Sequence, residues 1–285
     1  MGAVLTDRPK VWPWIVPAGP MLWGALAIGG LGCGSRSEAP APAEAPAPAE
    51  APAPAQAPAA AADAAYPMAR VPAGRYTVGC TPGQGADCVG GLVEVDLPRD
   101  LWVGVFEVSQ GLYGARMGAH PSGQRECGPD CPVEFLNWDA AVAFADAMSV
   151  QAGLRPCGQQ GAGPAASPCL GYRLPRAAEW EVAARGGADT PFSGGATAGP
   201  VAWTAENSGW KSHPVGQLQP NGYGLYDMSG NVYEFTADPI GDGGWVIRGG
   251  SWANPAGEGR VTVPSSITDG YADPKIGLRL VRTAP

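Results

Sequence analysis

The chain has 285 residues and a formal net charge of -8, from 18 basic and 26 acidic side chains with only two histidines. That balance excludes a nucleic-acid surface built on a basic face, and it excludes an electrostatic grip on anionic lipid. With 43 glycines and 31 prolines the chain is expected to be loop-rich, and so permissive a backbone loses much entropy on folding.

Arg8 and Lys10 precede an apolar run over residues 21–31 that ends in Gly32-Cys33. The run is shorter than the ~20 residues needed to cross a bilayer, and Pro13, Pro17 and Pro20 interrupt any helix that would extend it backwards. Residues 1–33 are therefore expected to be a lipoprotein-type export signal, with Cys33 as its lipidation site. An ordinary cleaved signal that discards Cys33 is the simpler alternative. Residues 34–65 repeat Ala, Pro and Glu, which denies them helical hydrogen bonds and makes an extended spacer. Residues 66–285 are long enough for one domain with its own core. The expected location is the bacterial envelope, with membrane attachment through the lipid anchor alone.

Within that domain, residues 71–79 and 101–108 alternate apolar and polar and read as strands that pair near one another. Asn137 is an N-cap for a helix running to Gln151, with Ala141, Phe144, Ala145 and Met148 on one stripe. A second helix is predicted from Pro175 to Arg185, closed by Gly186-Gly187. After Ala188 no helix is expected; aromatics punctuate glycine-rich loops, and residues 241–244 turn into a strand over 245–248. Six cysteines fall into close pairs, Cys80 with Cys88, Cys127 with Cys131 and Cys157 with Cys169, and local disulfides are the economical reading. His120 and His213 stand in turn-like surroundings without a nucleophile and acid to complete a catalytic set.

The most specific stretch is Asn221-Gly-Tyr-Gly-Leu-Tyr-Asp227-Met-Ser-Gly230-Asn231-Val232-Tyr-Glu234-Phe, followed by Arg248-Gly-Gly-Ser-Trp252. With Tyr172-Arg-Leu-Pro175, Ala205-Glu-Asn207-Ser208, Pro214-Val-Gly216 and Gly277-Leu-Arg-Leu-Val281 in the same order, the domain resembles the formylglycine-generating enzymes, the sulfatase-modifying factors. The resemblance implies an α+β, C-type-lectin-like fold with few regular elements. It also implies a calcium ion at Asp227, Gly230, Val232 and Glu234, through the two carboxylates and main-chain oxygens between them. That donor set suits calcium, which takes six to eight hard oxygens. A second calcium site would begin at Asn207 and Ser208, but the short stretch after them offers no carboxylate.

Members of that family oxidise a substrate cysteine with a pair of thiols that hold copper. Here the corresponding places hold Asn254 and Gly259, and no cysteine follows Ala253. Copper is not expected, since Cu(I) selects soft sulfur. The expectation is a non-catalytic binding module for a peptide, glycan or envelope protein, with Asn254 and Arg260 as the ligand face. The rival is an oxidoreductase of the same superfamily with a non-thiol metal centre, and a pure spacer module is the third reading.

Overall fold

The structure is a computed structural model that describes residues 66–285 apart from 87, 89, 161–167 and 242; the expected leader, Cys33 and the linker lie outside the described residues. Strand β1 (Met68–Val71) pairs antiparallel with β4 (Leu101–Gly104), and β9 (Val281–Thr283) pairs with the other side of β4. Both ends of the domain therefore meet in one three-stranded sheet. Tyr66 ties this junction down: its buried hydroxyl donates to the Phe106 carbonyl (3.1 Å) and accepts from the Leu280 N–H (3.0 Å).

The strand expected over 71–79 is in fact two. Pro72 lacks the N–H that a ladder needs, so β1 stops before it, and β2 (Gly74–Gly79) pairs instead with β3 (Leu92–Leu97) as a hairpin. The Cys80–Cys88 disulfide closes the hairpin's tip. The expected pairing with residues 101–104 holds for β1 alone.

Helix α1 (Gln110–Met117) was not expected, because Gly111 and Gly114 cost it about 1 kcal/mol each in helix propensity. Its ends explain it: the Ser109 hydroxyl accepts from the Leu112 N–H (3.2 Å), and Gly118 closes the helix at φ 82°. Helix α2 (Trp138–Gln151) follows the expected Asn137 cap, which accepts from the Ala140 N–H at 3.0 Å. Helix α3 (Ala177–Arg185) starts two residues later than predicted, with Arg176 at the N-cap. Arginine has no cap hydroxyl, and two carboxylates serve instead. Glu179 accepts from the Arg176 N–H (2.8 Å), and Asp238 accepts from the Ala177 N–H.

The remaining strands form a four-stranded sheet in the order β7 (Pro264–Thr268), β6 (Gly244–Arg248), β5 (Tyr233–Pro239) and β8 (Ile276–Gly277), with the β5–β8 pair parallel. One core cluster places Tyr113, Phe144 and Met148 of α1 and α2 with Phe235, Ile247 and Ile267 of this sheet. A second places Trp180 and Ala184 of α3 with Val71, Leu101 and Val103 of the three-stranded sheet, as the helix stripe predicts. Each such large buried side chain contributes about 1.5–3 kcal/mol of burial. The segment 227–234 leads from loop into β5 beside the second cluster, which also holds Met228.

Candidate functional site

Asp227 (φ 57°) and Asn231 (φ 56°) both occupy the left-handed region, which Asp and Asn tolerate better than other non-glycine residues. Between them Gly230 (φ 77°) lies where a Cβ would collide with the main chain of Trp203. The turn delivers Glu234 into the core at the head of β5. Its Oε1 accepts from Arg279 Nε (2.9 Å) and Nη2 (2.7 Å), and its Oε2 accepts from Trp180 Nε1 (2.6 Å). Arg279 also donates to the carbonyls of Gly104, Val105 and Tyr226. One buried ion pair thus ties α3, the end of β4, the 221–235 motif and the C-terminal segment together.

Two more buried carboxylates stand nearby. Glu107 accepts from the Val232 N–H (3.1 Å) and from Asn231 Nδ2 (2.7 Å). Asp227 Oδ2 accepts from the Gly216 N–H (2.7 Å), while the buried Oδ1 has no hydrogen-bond partner. Burial first, then the neighbouring Asp227 and Glu234, push the Glu107 carboxyl well above its ordinary range. Burial raises Asp227 to about 6, against the opposing Gly216 N–H and Arg279. Both oxygens of Glu107 accept hydrogen bonds, which suits the ionised form, whereas burial favours the neutral acid.

The loop before the motif rests on this cluster. Asn231 donates its N–H to the Trp203 carbonyl (2.8 Å), and its Oδ1 accepts from the His213 N–H (3.0 Å). The His213 ring stacks on Trp203 at 3.8 Å between centroids. Its Nε2 faces the Ser208 carbonyl at 2.7 Å, and because a carbonyl only accepts, that nitrogen carries the proton.

On the surface an open cleft of about 210 Å³ lies between residues 254–258 and 271–276. Tyr233 forms part of its buried side and donates its hydroxyl to Glu258 Oε2 at 2.5 Å. Asn254 Nδ2 donates to the same oxygen (3.1 Å), and the Asn254 Oδ1 accepts from the Ser251 hydroxyl. Burial, then Glu258, raise the Tyr233 phenol above its usual range, so it stays a donor. Across the cleft, Lys275 Nζ lies 3.6 Å from Asp273 Oδ2, and Tyr271 is 59% exposed.

Of the two residues expected to form the ligand face, Asn254 lines this cleft and Arg260 does not. Arg260 donates from Nη1 to the Gln84 carbonyl (3.3 Å) in the loop beyond β2. Asn207 is spent on its own turn: Oδ1 accepts from the Thr204 N–H (2.8 Å) and Nδ2 donates to the Ala202 carbonyl (2.9 Å). Ser208 donates to the Trp252 carbonyl (2.7 Å). The six domain cysteines pair in the expected way, Cys80–Cys88, Cys127–Cys131 and Cys157–Cys169. Sequence reasoning missed Glu107, Arg279, Glu258, Tyr271 and Lys275. Glu107 and Arg279 each left a signal, a charged side chain inside an apolar run (103–108 and 276–281), which demands a buried partner.

The family model described as the sulfatase-modifying factor enzyme 1-like domain matches residues 54–284. A Paenibacillus barcinonensis protein named chaperone protein LppX is 30% identical over 227 residues, covering 65% of this chain and 80% of that protein. The mouse protein named inactive C-alpha-formylglycine-generating enzyme 2 is 36% identical over 135 residues, which is 40% of this chain and 44% of that protein. Among solved structures, Treponema denticola variable protein 1 superposes with a TM-score of 0.67 at 30% identity, over 77% of this chain and 95% of that one.

Proposed function

The chain belongs to the sulfatase-modifying factor enzyme 1-like family and has its loop-rich α+β, C-type-lectin-like fold, and we propose that it is a non-catalytic binding module displayed on the cell envelope. The observation that carries this reading is the cleft beside Asn254 and Glu258. Asn254, one of the two places where the family resemblance calls for a thiol, lines it, and Asn254, Tyr233 and Glu258 form a hydrogen-bonded polar wall there; Gly259, the other place, is buried outside its lining. All six described cysteines are consumed in disulfides, so they offer no thiolate to copper. Relatives named as a chaperone protein and as an inactive enzyme support a role without oxidation.

Calcium is proposed as the resident cation of the 227–234 segment. The donor chemistry fits a hard cation: the Asp227 Oδ1 is buried without a partner, and three carboxylates face a single guanidinium. Among the described residues no three His, Cys, Asp or Glu side chains gather as a metal cage, so main-chain oxygens at Gly230 and Val232 would complete the shell. Glu234 is engaged by Arg279 and Trp180, which makes Asp227 the stronger end of the site. When bound, calcium would supply charge that neutralises the cluster and stiffens the loop resting on Asn231. Asn207 and Ser208 carry no proposal, since their polar groups are spent locally.

Export by residues 1–33, anchoring at Cys33 and a tether over 34–65 complete the proposal. Among the described residues no helix is long and apolar enough to cross a membrane. The test is to probe glycan and peptide arrays with the full chain and with its Asn254→Ala and Glu258→Gln variants. The reading expects retained ligands that both variants lose. Retention unchanged by either substitution, or no retention at all, would favour a spacer with no working cleft.

A further inference from the structure

We infer that the cleft receives a cationic side chain, lysine or arginine, presented by a polypeptide partner. This rests on the binding-module reading and adds the ligand's chemistry to it. Size comes first: about 210 Å³ falls below the ~300 Å³ at which pockets for whole small molecules begin. An open cleft of that size takes one residue of a longer chain. Charge comes second. Glu258 and Asp273 line the cleft against Lys275, which lies 3.6 Å from Asp273. Lys275 therefore offsets Asp273, while among the described residues the donors to Glu258 are the neutral Tyr233 and Asn254, which orient its carboxylate without cancelling its charge. Anionic groups are repelled, and the chain's net charge of -8 steers basic partners toward it.

The surroundings supply the third observation. Tyr271, in the lining, is 59% exposed. Phe135 is 47% exposed, and its N–H donates to the Asp273 carbonyl (3.2 Å). Trp210 is 67% exposed, and its N–H donates to the Ser208 hydroxyl (3.1 Å), which itself donates to the Trp252 carbonyl (2.7 Å). The Trp252 indole in turn donates to the Pro274 carbonyl (3.4 Å). Of these three aromatics Tyr271 lines the cleft, while the Phe135 main chain bonds to the 271–275 segment directly and the Trp210 main chain connects to it through Ser208 and Trp252. Phe135 and Trp210 are also both held at φ 63°, a conformation that bulky residues keep only under constraint. The exposed Tyr271 ring in a cleft that also holds the Glu258 carboxylate suits a cation, and arginine gains most because its planar guanidinium also stacks. A neutral sugar could stack on Tyr271 and donate hydroxyls to Glu258, but it would lack the ion-pair attraction and the salt dependence of a cation.

The experiment is fluorescence anisotropy on the full chain with labelled peptides of one length carrying arginine, lysine, glutamine or glutamate, and with a labelled neutral oligosaccharide. Arginine and lysine peptides are expected to bind, more weakly at higher salt, and at least tenfold more weakly to Glu258→Gln and Tyr271→Ala whose thermal melts match the parent. Equal binding of the glutamine or glutamate peptide, or basic-peptide binding that neither substitution changes, overturns the inference. Binding of the oligosaccharide alone, lost in the same variants, overturns the cationic assignment and leaves the binding module standing. Failure of every probe overturns both.

Discussion

Glu234→Gln removes a charge and almost no volume, so its cost isolates the electrostatics of the core. Arg279 is buried with Glu234 as its 2.7 Å partner, at side-chain exposures of 0% and 1%. Leaving a buried guanidinium without its counter-ion costs about 3–5 kcal/mol. The amide also turns an NH2 toward either Trp180 or Arg279, both donors, so at least one bond is lost outright. For a domain of this size each 1 kcal/mol moves the melting temperature by roughly 2–4 °C, which predicts a fall of roughly 6–20 °C. The assay is denaturant unfolding followed by circular dichroism at pH 7 with excess chelator, so that calcium contributes nothing to the difference. The double variant Glu234→Leu with Arg279→Met should recover part of the loss, because two apolar groups leave no charge stranded. A loss below about 1 kcal/mol in chelator would mean that Glu107 or Asp227 can replace Glu234 as the counter-ion, and the reasoning would fail.

Calcium should raise the melting temperature of the parent and leave Asp227→Asn unchanged, since binding to the native state alone adds stability by mass action; identical parent melts in calcium and chelator would remove the ion from the account. Arg173 holds Glu179 below the usual carboxylate range despite its burial. A depressed acid contributes stability that is present above its unfolded pKa of about 4.3 and is lost as pH falls through the folded value. The stability gap between the parent and Glu179→Gln should therefore shrink from pH 5 to pH 3, and a gap that widens would contradict the sign. Replacing Cys157 and Cys169 with alanine, which opens a link across 12 positions, should cost up to about 3 kcal/mol through the freed unfolded chain. Peptide mapping without reduction should find only the three local pairs.

What the sequence disclosed follows how local each feature is. Helices α2 and α3 were legible because caps, stripe and closing glycines lie within one element. The cysteine pairs were legible because each spans a short segment. Helix α1 was hidden by its two glycines, and the β1–β2 break by reading the alternation across Pro72. At the site, the motif around Asp227 and Glu234 was plain, but the partners that define its electrostatics were not. Glu107 and Arg279 reach it from opposite ends of the domain, and no spacing rule links them. Arg260 is near Asn254 in sequence, yet the chain carries it to the Gln84 carbonyl, so of the two only Asn254 lines the cleft. Tyr271, Asp273 and Lys275 stand in a stretch that reads as an ordinary turn until β8 folds it against the 254–258 loop.

The central claim is that this domain keeps the family scaffold and binds through it without oxidising a thiol. Its most direct test is to incubate the full chain with a sulfatase-type cysteine peptide, with and without added copper, and to follow the peptide by mass spectrometry. The account predicts that the cysteine stays unmodified, at the level of a heat-denatured control. Conversion of the cysteine to an aldehyde above that control would contradict it and would point to an oxidation centre without thiols, with His120 and His213 as the first residues to replace.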